Sequence, residues 1–189
     1  MVNKYSESKC RWYVLCLSAL TLTFCMAMPR ICMPVLFKEI SADLELSLVQ
    51  IGWVWGLFSL SGLLTVFISG LLADRFGARR MLIFTCLMAG LTGASRGLAN
   101  DFASLIFTTF LFGLLVVVIV INILKMVATW FESRQLGLAN GILATGMGVG
   151  FTIGSMFSAT LLSPMFGSWR GVLFLYGDIS VFIALLWFI

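Results

Sequence analysis

A cluster of charge between two long apolar runs constrains this chain more than any other feature. Residues 46–73 and 81–95 carry no charged side chain, whereas Asp74, Arg75, Arg79 and Arg80 lie between them. So short a connection between two membrane-length helices must turn sharply at one face of a bilayer. Gly70 and Gly77 are predicted to permit that turn because glycine has no Cβ. Asp74 is predicted to cap the incoming helix by accepting backbone N–H bonds.

The composition indicates a protein that uses lipid as its solvent. Hydrophobic residues make up 61% of the chain and charged residues 11%, whereas soluble domains are about one quarter charged. The net charge of +4 does not indicate a nucleic-acid partner, because the basic residues lie at helix ends rather than on one face. The expected partner is the lipid bilayer.

The charge-free runs predict an all-α protein with six membrane-spanning helices. A helix needs about 20 residues to cross the hydrocarbon core. The predicted spans are residues 12–37, 49–72, 79–98, 102–129, 136–162 and 171–189.

The distribution of lysine and arginine predicts a cytoplasmic N-terminus, since cytoplasmic loops carry an excess of these residues. With that orientation the inner side receives Lys4, Lys9, Arg11, Arg75, Arg79, Arg80 and Arg134, with Lys125 nearby, and the outer side receives Lys38, Arg96 and Arg170. Arg96 is expected at or near the outer interface. We expect a multi-pass protein of a plasma or inner membrane.

Several chemistries are excluded by residue content. The chain has no histidine, so sites that use imidazole are absent, and its five cysteines form no close metal-type pair. The cysteines are interpreted as packing residues. We therefore expect no enzyme activity, no metal and no cofactor.

The fifth span carries a stripe of glycines on one helical face. Gly146, Gly150 and Gly154 recur every fourth residue. Such stripes let helices approach closely within a membrane. They indicate either rigid packing against a neighbouring helix or a surface on which two groups of helices slide.

Three stretches of the chain resemble motifs of the major facilitator superfamily. They are Gly70–Arg80, which is close to the signature loop between helices two and three, Trp130–Gly141, which is similar to the link from helix four to five, and Gly167–Phe174, which resembles the entry into helix six. They follow one another in the expected order and at the expected spacing between residues 70 and 174.

The resemblance implies a twelve-helix transporter made of two six-helix halves, each containing two inverted three-helix repeats. Residues 1–189 correspond to the N-terminal half. We expect the chain to be a fragment that lacks the C-terminal half, and the alternative is a half-size transporter that pairs with another chain. By the same resemblance, a cytoplasmic latch between the halves is expected to comprise Gly70, Asp74, Arg75, Gly77, Arg79, Arg80, Glu132 and Arg134. For Arg79 and Arg80, simple topological anchoring is the alternative.

Arg30 also resembles an arginine of the anion:cation symporter branch, which is associated there with an organic anion. Pro29 takes the place of the acid that precedes the arginine in that branch, and Val116 occupies an acidic position of helix four. Only the arginine carries over. With Pro29 and Pro34 predicted to kink the helix, Arg30 either faces a cavity and binds an anion or reaches to the outer headgroups.

Other polar residues within the spans are candidates for substrate binding or coupling, because ionisable groups are rare in membranes. Lys125 either reaches the inner headgroups or meets substrate. Asn122 lies on the same face and either meets substrate or hydrogen-bonds a neighbouring helix. Asp178 is a candidate proton relay, or else a structural partner of Arg30.

The sequence therefore predicts a secondary transporter of a small anionic metabolite that works by alternating access, with proton coupling as one source of energy. A proton-coupled drug or cation exporter is the first alternative. It is disfavoured because Gly150–Ser155 lacks the proline and final glycine of the run found in such exporters. A membrane accessory protein that does not transport is the second alternative.

Overall fold

The computed structural model describes residues 4–188, with side chains at 10–66, 69–70 and 75–188. Within these residues, six helical spans are long and apolar enough to cross a membrane. The first span joins helix Lys4–Thr21, a π-helical segment Leu22–Ala27 and helix Met28–Asp43. The second is Leu48–Phe76, the third is Ala78–Ser95 followed by a 3-10 turn Arg96–Leu98, and the fourth is Phe102–Trp130. The fifth joins helix Ser133–Phe157, a π-helical segment Ser158–Leu162 and helix Ser163–Phe166, and the sixth is Trp169–Leu186. The prediction of six apolar helices is confirmed.

The turn between the second and third spans is shorter than predicted. Gly70 lies inside the second helix, which continues to Phe76, so its predicted role in the turn is wrong. Gly77 alone makes the turn, with a φ of 83° that favours glycine, and it is also the N-cap of the third span. Asp74 lies in the helical backbone before the turn, and its side chain is outside the described residues. The apolar run therefore stays helical until the chain reaches a residue that can reverse it.

Glycines set the closest helix crossings. A Cβ at Gly113 of the fourth span would lie 2.9 Å from the carbonyl oxygen of Phe58 in the second span. In the third and sixth spans, a Cβ at either Gly90 or Gly177 would lie 2.8 Å from the other glycine's carbonyl oxygen. Because lipid tails give no hydrophobic drive for association, such close backbone contact is what holds membrane helices together.

The glycine stripe of the fifth span packs directly on the first span. A Cβ at Gly150 would lie 2.7 Å from the Ala27 Cβ and 2.8 Å from the Thr23 carbonyl oxygen. Gly146 and Gly154 meet the first span one turn to either side. The stripe therefore follows the π-helical segment of the first span.

That π-helical segment lies immediately before Pro29. The amide N–H of Met28 donates to the Thr23 carbonyl, five residues back, and Thr23 Oγ1 donates to the carbonyl oxygen of Gly146 at 2.8 Å. Proline lacks the N–H that would continue the usual ladder, which favours a local change of helix type. The wide turn thus presents its backbone to the fifth span.

The two ends of the bundle are held by different contacts. We call them the Gly77 end and the Asp43 end. Near the Asp43 end, Asp101 begins the fourth span with a capping box, in which the Ser104 amide donates to Asp101 Oδ1 at 2.7 Å. Hydrogen bonds from the Ser104 side chain and from its backbone amide lower the pKa of the Asp101 carboxyl from its usual value.

Candidate functional site

Arg30 is a partly buried cation in the second half of the first span. Its guanidinium lies 5.5 Å from the centre of the Phe58 ring, in the second span. Among the described side chains, no carboxylate lies within ion-pairing distance of Arg30. The predicted structural pair between Arg30 and Asp178 is therefore wrong. Asp178 is exposed on the sixth span, whose buried face is formed instead by residues such as Gly177 and Tyr176.

An aromatic cluster supports Arg30 from the second span. Phe58 is 6% exposed and stacks on Trp55, with ring centres 5.2 Å apart. Phe37 of the first span meets the Trp55 ring edge-on at 6.2 Å. A cation held over an aromatic face keeps favourable electrostatic contact without being neutralised, so Arg30 retains its full charge for a ligand.

Arg96, in the 3-10 turn at the end of the third span, is turned into the protein. It is 1% exposed, which makes it one of the largest fully buried side chains, and its predicted position at the outer interface stays a prediction. Its Nε donates to the Gly93 carbonyl at 3.2 Å, and both terminal nitrogens donate to the Pro29 carbonyl at 3.2 Å. Its guanidinium also lies 3.9 Å from the centre of the Phe112 ring.

Sequence reasoning missed Arg96 because the nearness of Pro29 and Phe112 is set by helix packing, not by spacing along the chain. One local signal was available. Gly93 and Gly97 flank Arg96, and a Cβ at Gly93 would lie 3.6 Å from an Arg96 terminal nitrogen. Small neighbours on the same helix leave room for a long side chain to turn back into the protein.

Asn122 and Lys125 have structural contacts in the fourth span. Asn122 is fully buried, and its amide nitrogen donates to the Val118 carbonyl at 2.8 Å, while its Oδ1 accepts no hydrogen bond from any described residue. Lys125 donates from Nζ to the carbonyl oxygen of Gly70 at 3.4 Å. Lys125 therefore connects the fourth span to the predicted latch stretch of the second.

The charged residues at the Gly77 end have separate environments. Arg79 donates from Nε to the Trp187 carbonyl at 3.0 Å, near the end of the sixth span, while Arg75 lies over the Phe76 ring. Arg80, Glu132 and Arg134 are exposed, and within the part of the chain whose side chains are described none of them joins an ion pair. The predicted latch role of these residues, and of Gly70, Asp74 and Gly77, stays a prediction.

The Asp43 end joins the stretch at the start of the sixth span to the first and third spans. The Asp43 carboxylate accepts from Trp169 Nε1 at 3.1 Å and forms an ion pair with Arg170. Arg170 also donates to the Ala99 carbonyl at 3.1 Å. Glu39 accepts a hydrogen bond from Ser163, beside an open pocket of about 390 Å³ that Asp43 and Trp169 also line. Trp169 and Arg170, in the motif at the start of the sixth span, thus both donate to the Asp43 carboxylate.

The cysteines and acidic residues bring no metal-type site together. In the described part of the chain, no three potential ligands among histidine, cysteine, aspartate and glutamate form a group. Cys25, Cys32 and Cys86 are buried in the helix bundle, while Cys10 and Cys16 are exposed.

Comparison with known proteins adds a family and several relatives. The family model described as Major Facilitator Superfamily matches residues 19–189. A hexuronate transporter of Bacillus subtilis is 30% identical over 79% of this chain, and a probable nitrate/nitrite antiporter of Thermus thermophilus is 31% identical over 94%. A probable galactarate/D-glucarate transporter of Escherichia coli is 26% identical over 79% of the chain.

The chain is much shorter than these relatives. It covers 35% of the hexuronate transporter, 42% of the nitrate/nitrite antiporter and 34% of the galactarate/D-glucarate transporter.

Proposed function

The chain belongs to the major facilitator superfamily, and we propose that it is the N-terminal half of a secondary transporter that moves a small anion across the membrane by alternating access. In this proposal a second six-helix half faces it across a central cavity, and the substrate binds between the two. The Gly77 end and the N-terminus lie on the cytoplasmic side.

The observation that supports an anionic substrate is the state of Arg30. It is partly buried within a membrane-spanning helix and rests on Phe58, and among the described residues no acid neutralises it. A buried cation that has no protein counter-charge favours an anionic ligand, since burial in low dielectric strengthens their attraction. The planar guanidinium also offers paired donors to a carboxylate or an oxyanion.

The relatives agree with this chemistry. Hexuronates, galactarate, D-glucarate, nitrate and nitrite are all small anions, and each is named for a protein similar to this chain. Their sizes and charges differ widely, so they support the class of substrate and not a particular compound.

Opening and closing of the cavity are assigned to the charged residues at the Gly77 end. Asp74, Arg75, Arg79, Arg80, Glu132 and Arg134 form the cytoplasmic latch against the second half. Asp178, which is exposed in the middle of the sixth span, is the candidate for proton coupling. Lys125 holds the fourth span to the latch stretch through the Gly70 carbonyl.

Counterflow uptake into proteoliposomes tests this function. Purified full-length protein would be assayed with labelled D-glucuronate, D-glucarate and nitrate, and with a lipophilic cation. We expect saturable exchange of at least one anion, abolished by Arg30→Ala and weakened by Arg30→Lys, because lysine keeps the charge but loses the paired donors.

The matched control is Lys38→Ala, which removes an exposed cation from the same span. This variant should exchange the anion as the wild type does. Exchange of the cation alone, unaffected by Arg30→Ala, would show an exporter instead, and no exchange of any compound would favour an accessory protein.

A further inference from the structure

A second arginine holds the backbone next to Arg30. Arg96 donates from both terminal nitrogens to the carbonyl oxygen of Pro29, the residue that directly precedes Arg30. Cys32 Sγ donates to the same carbonyl at 3.3 Å. The third span thus grips the first span at the proline turn from which the Arg30 side chain projects.

The two arginines are also connected through aromatic rings. Arg96 lies over Phe112, which stacks on Phe58 with ring centres 6.2 Å apart, and Phe58 in turn lies under Arg30. Backbone and side-chain contacts therefore run from Arg96 to Arg30 by two separate routes. A change at Arg96 would move both the Cα position of Arg30 and the ring beneath its guanidinium.

Burial separates the roles of the two residues. At 1% exposure Arg96 cannot touch a ligand, whereas Arg30 is partly accessible. Neither has an acidic partner among the described side chains. Keeping an unpaired cation buried is costly, and the three hydrogen bonds and the ring contact of Arg96 offset that cost. Only a planar, forked group can make all of these contacts at once.

We propose that Arg96 is a positioning residue for anion binding: its hydrogen bonds to the Pro29 carbonyl and its contact with the Phe112 ring set the direction in which Arg30 meets the substrate. This inference rests on the proposed function, in which Arg30 binds the anion. It assigns Arg96 no contact with the substrate itself.

Kinetics of Arg96→Lys test the inference in full-length protein in proteoliposomes, with D-glucuronate and nitrate as probes. Lysine keeps the charge but offers a single nitrogen in place of the fork. We expect the KM for the transported anion to rise about tenfold while kcat stays within about twofold, which is the effect of losing one charge-assisted hydrogen bond that orients the binding group. Phe112→Leu, which leaves Arg96 in place and removes the connecting ring, should raise KM in the same direction.

Two controls separate positioning from a general loss of structure. Arg170→Lys makes the same change at an arginine of the Asp43 end that does not contact Pro29, and its KM should match the wild type. In the Arg30→Lys background, Arg96→Lys should add little further increase in KM, because the residue through which it acts is already altered. Additive effects in the double variant would overturn the proposal.

A readout that needs no transport reports the contact directly. In a variant whose other four cysteines are replaced by alanine, the buried Cys32 shares the Pro29 carbonyl with Arg96. Both Arg96→Lys and Arg96→Met should speed its alkylation by N-ethylmaleimide, whereas Arg170→Lys should not.

The two readouts make the possible failures distinguishable. Wild-type protein that exchanges none of D-glucuronate, D-glucarate and nitrate would overturn the proposed function, and with it the role given to Arg96. Active protein whose KM does not change in Arg96→Lys would overturn the positioning role alone. Unchanged alkylation of Cys32 would show that Arg96 does not hold this turn.

Discussion

Single polar side chains that connect two spans matter more than those that bond within their own helix. Thr21 in the first span donates from Oγ1 to the Leu17 carbonyl at 2.7 Å and accepts from Trp187 Nε1 at 3.0 Å. Thr85 in the third span donates to Met81 and Leu82 carbonyls of its own helix. Both threonines are buried. They differ in whether a second helix depends on them.

Thr21→Val should destabilise the protein more than Thr85→Val does. Valine has nearly the same shape, but at position 21 it leaves the buried Trp187 N–H without an acceptor, at a cost of about 1–2 kcal/mol. At position 85 only a bond within the helix is lost, so the change should be about 0.5 kcal/mol or less. Chemical unfolding in detergent, followed by circular dichroism, measures both variants, and equal losses would contradict the importance given to the contact between spans.

Close helix crossings at the scale of whole elements depend on particular glycines and not on every glycine. A Cβ at Gly113 would meet Ser61 Oγ at 2.0 Å and the Phe58 carbonyl oxygen at 2.9 Å. Gly148 of the fifth span has no atom within 4 Å of its would-be Cβ in the described structure. Both glycines lie inside helices, but only Gly113 is packed closely against another span.

Gly113→Ala should therefore separate the second and fourth spans and lower stability by about 1–3 kcal/mol, as overpacking typically does. Because Phe58 would be displaced, the affinity for the proposed anionic substrate should also fall. Gly148→Ala is the matched control. It should leave stability unchanged or raise it by up to about 1 kcal/mol, because alanine favours the helix. Thermal unfolding of the two variants side by side gives the answer, and a stable Gly113→Ala protein would be incompatible with this packing.

The glycines of the predicted turn show how far sequence reasoning reached at this scale. The break near Gly77 was evident because charge interrupts two apolar runs. That Gly70 continues the helix was not, since glycine is compatible with both states and the choice depends on packing around the second span. Arg96 is the same case at the site: its place at the end of the third span could be predicted, but its contacts with Pro29 and Phe112 join distant parts of the chain and could not.

Alanine substitutions of the two glycines should separate these roles. Gly77→Ala places a Cβ on a backbone with φ of 83° and should cost about 1–3 kcal/mol in the free energy of unfolding. Gly70→Ala should have no such cost, because Gly70 is helical and its would-be Cβ has no atom within 4 Å in the described structure. Urea titration of both variants measures the difference, and a loss of stability at Gly70 alone would contradict the observed turn.

On the scale of the whole molecule, the proposed alternating-access function requires the six helical spans to move together. Three tight glycine crossings join the second span to the fourth, the third to the sixth and the fifth to the first. Polar contacts then join the ends. At the Asp43 end, Asp43, Arg170 and Ala99 connect the first, sixth and third spans. The glycine crossings are buried in the bundle, whereas this polar group is open to solvent.

The polar group should consequently contribute orientation more than stability. The side chains of Arg170 and Asp43 are 29% and 44% exposed, so water and salt screen their attraction. A double-mutant cycle with Asp43→Ala and Arg170→Ala should give a coupling energy of about 1 kcal/mol or less at low salt, and less still in 1 M NaCl. Glu45→Ala, which removes a neighbouring exposed acid, should show no coupling with Arg170→Ala. A coupling energy well above 2 kcal/mol that salt does not reduce would mean that the pair is shielded from water. The Asp43 end would then fix the helices rigidly, as the glycine crossings do, rather than merely orient them.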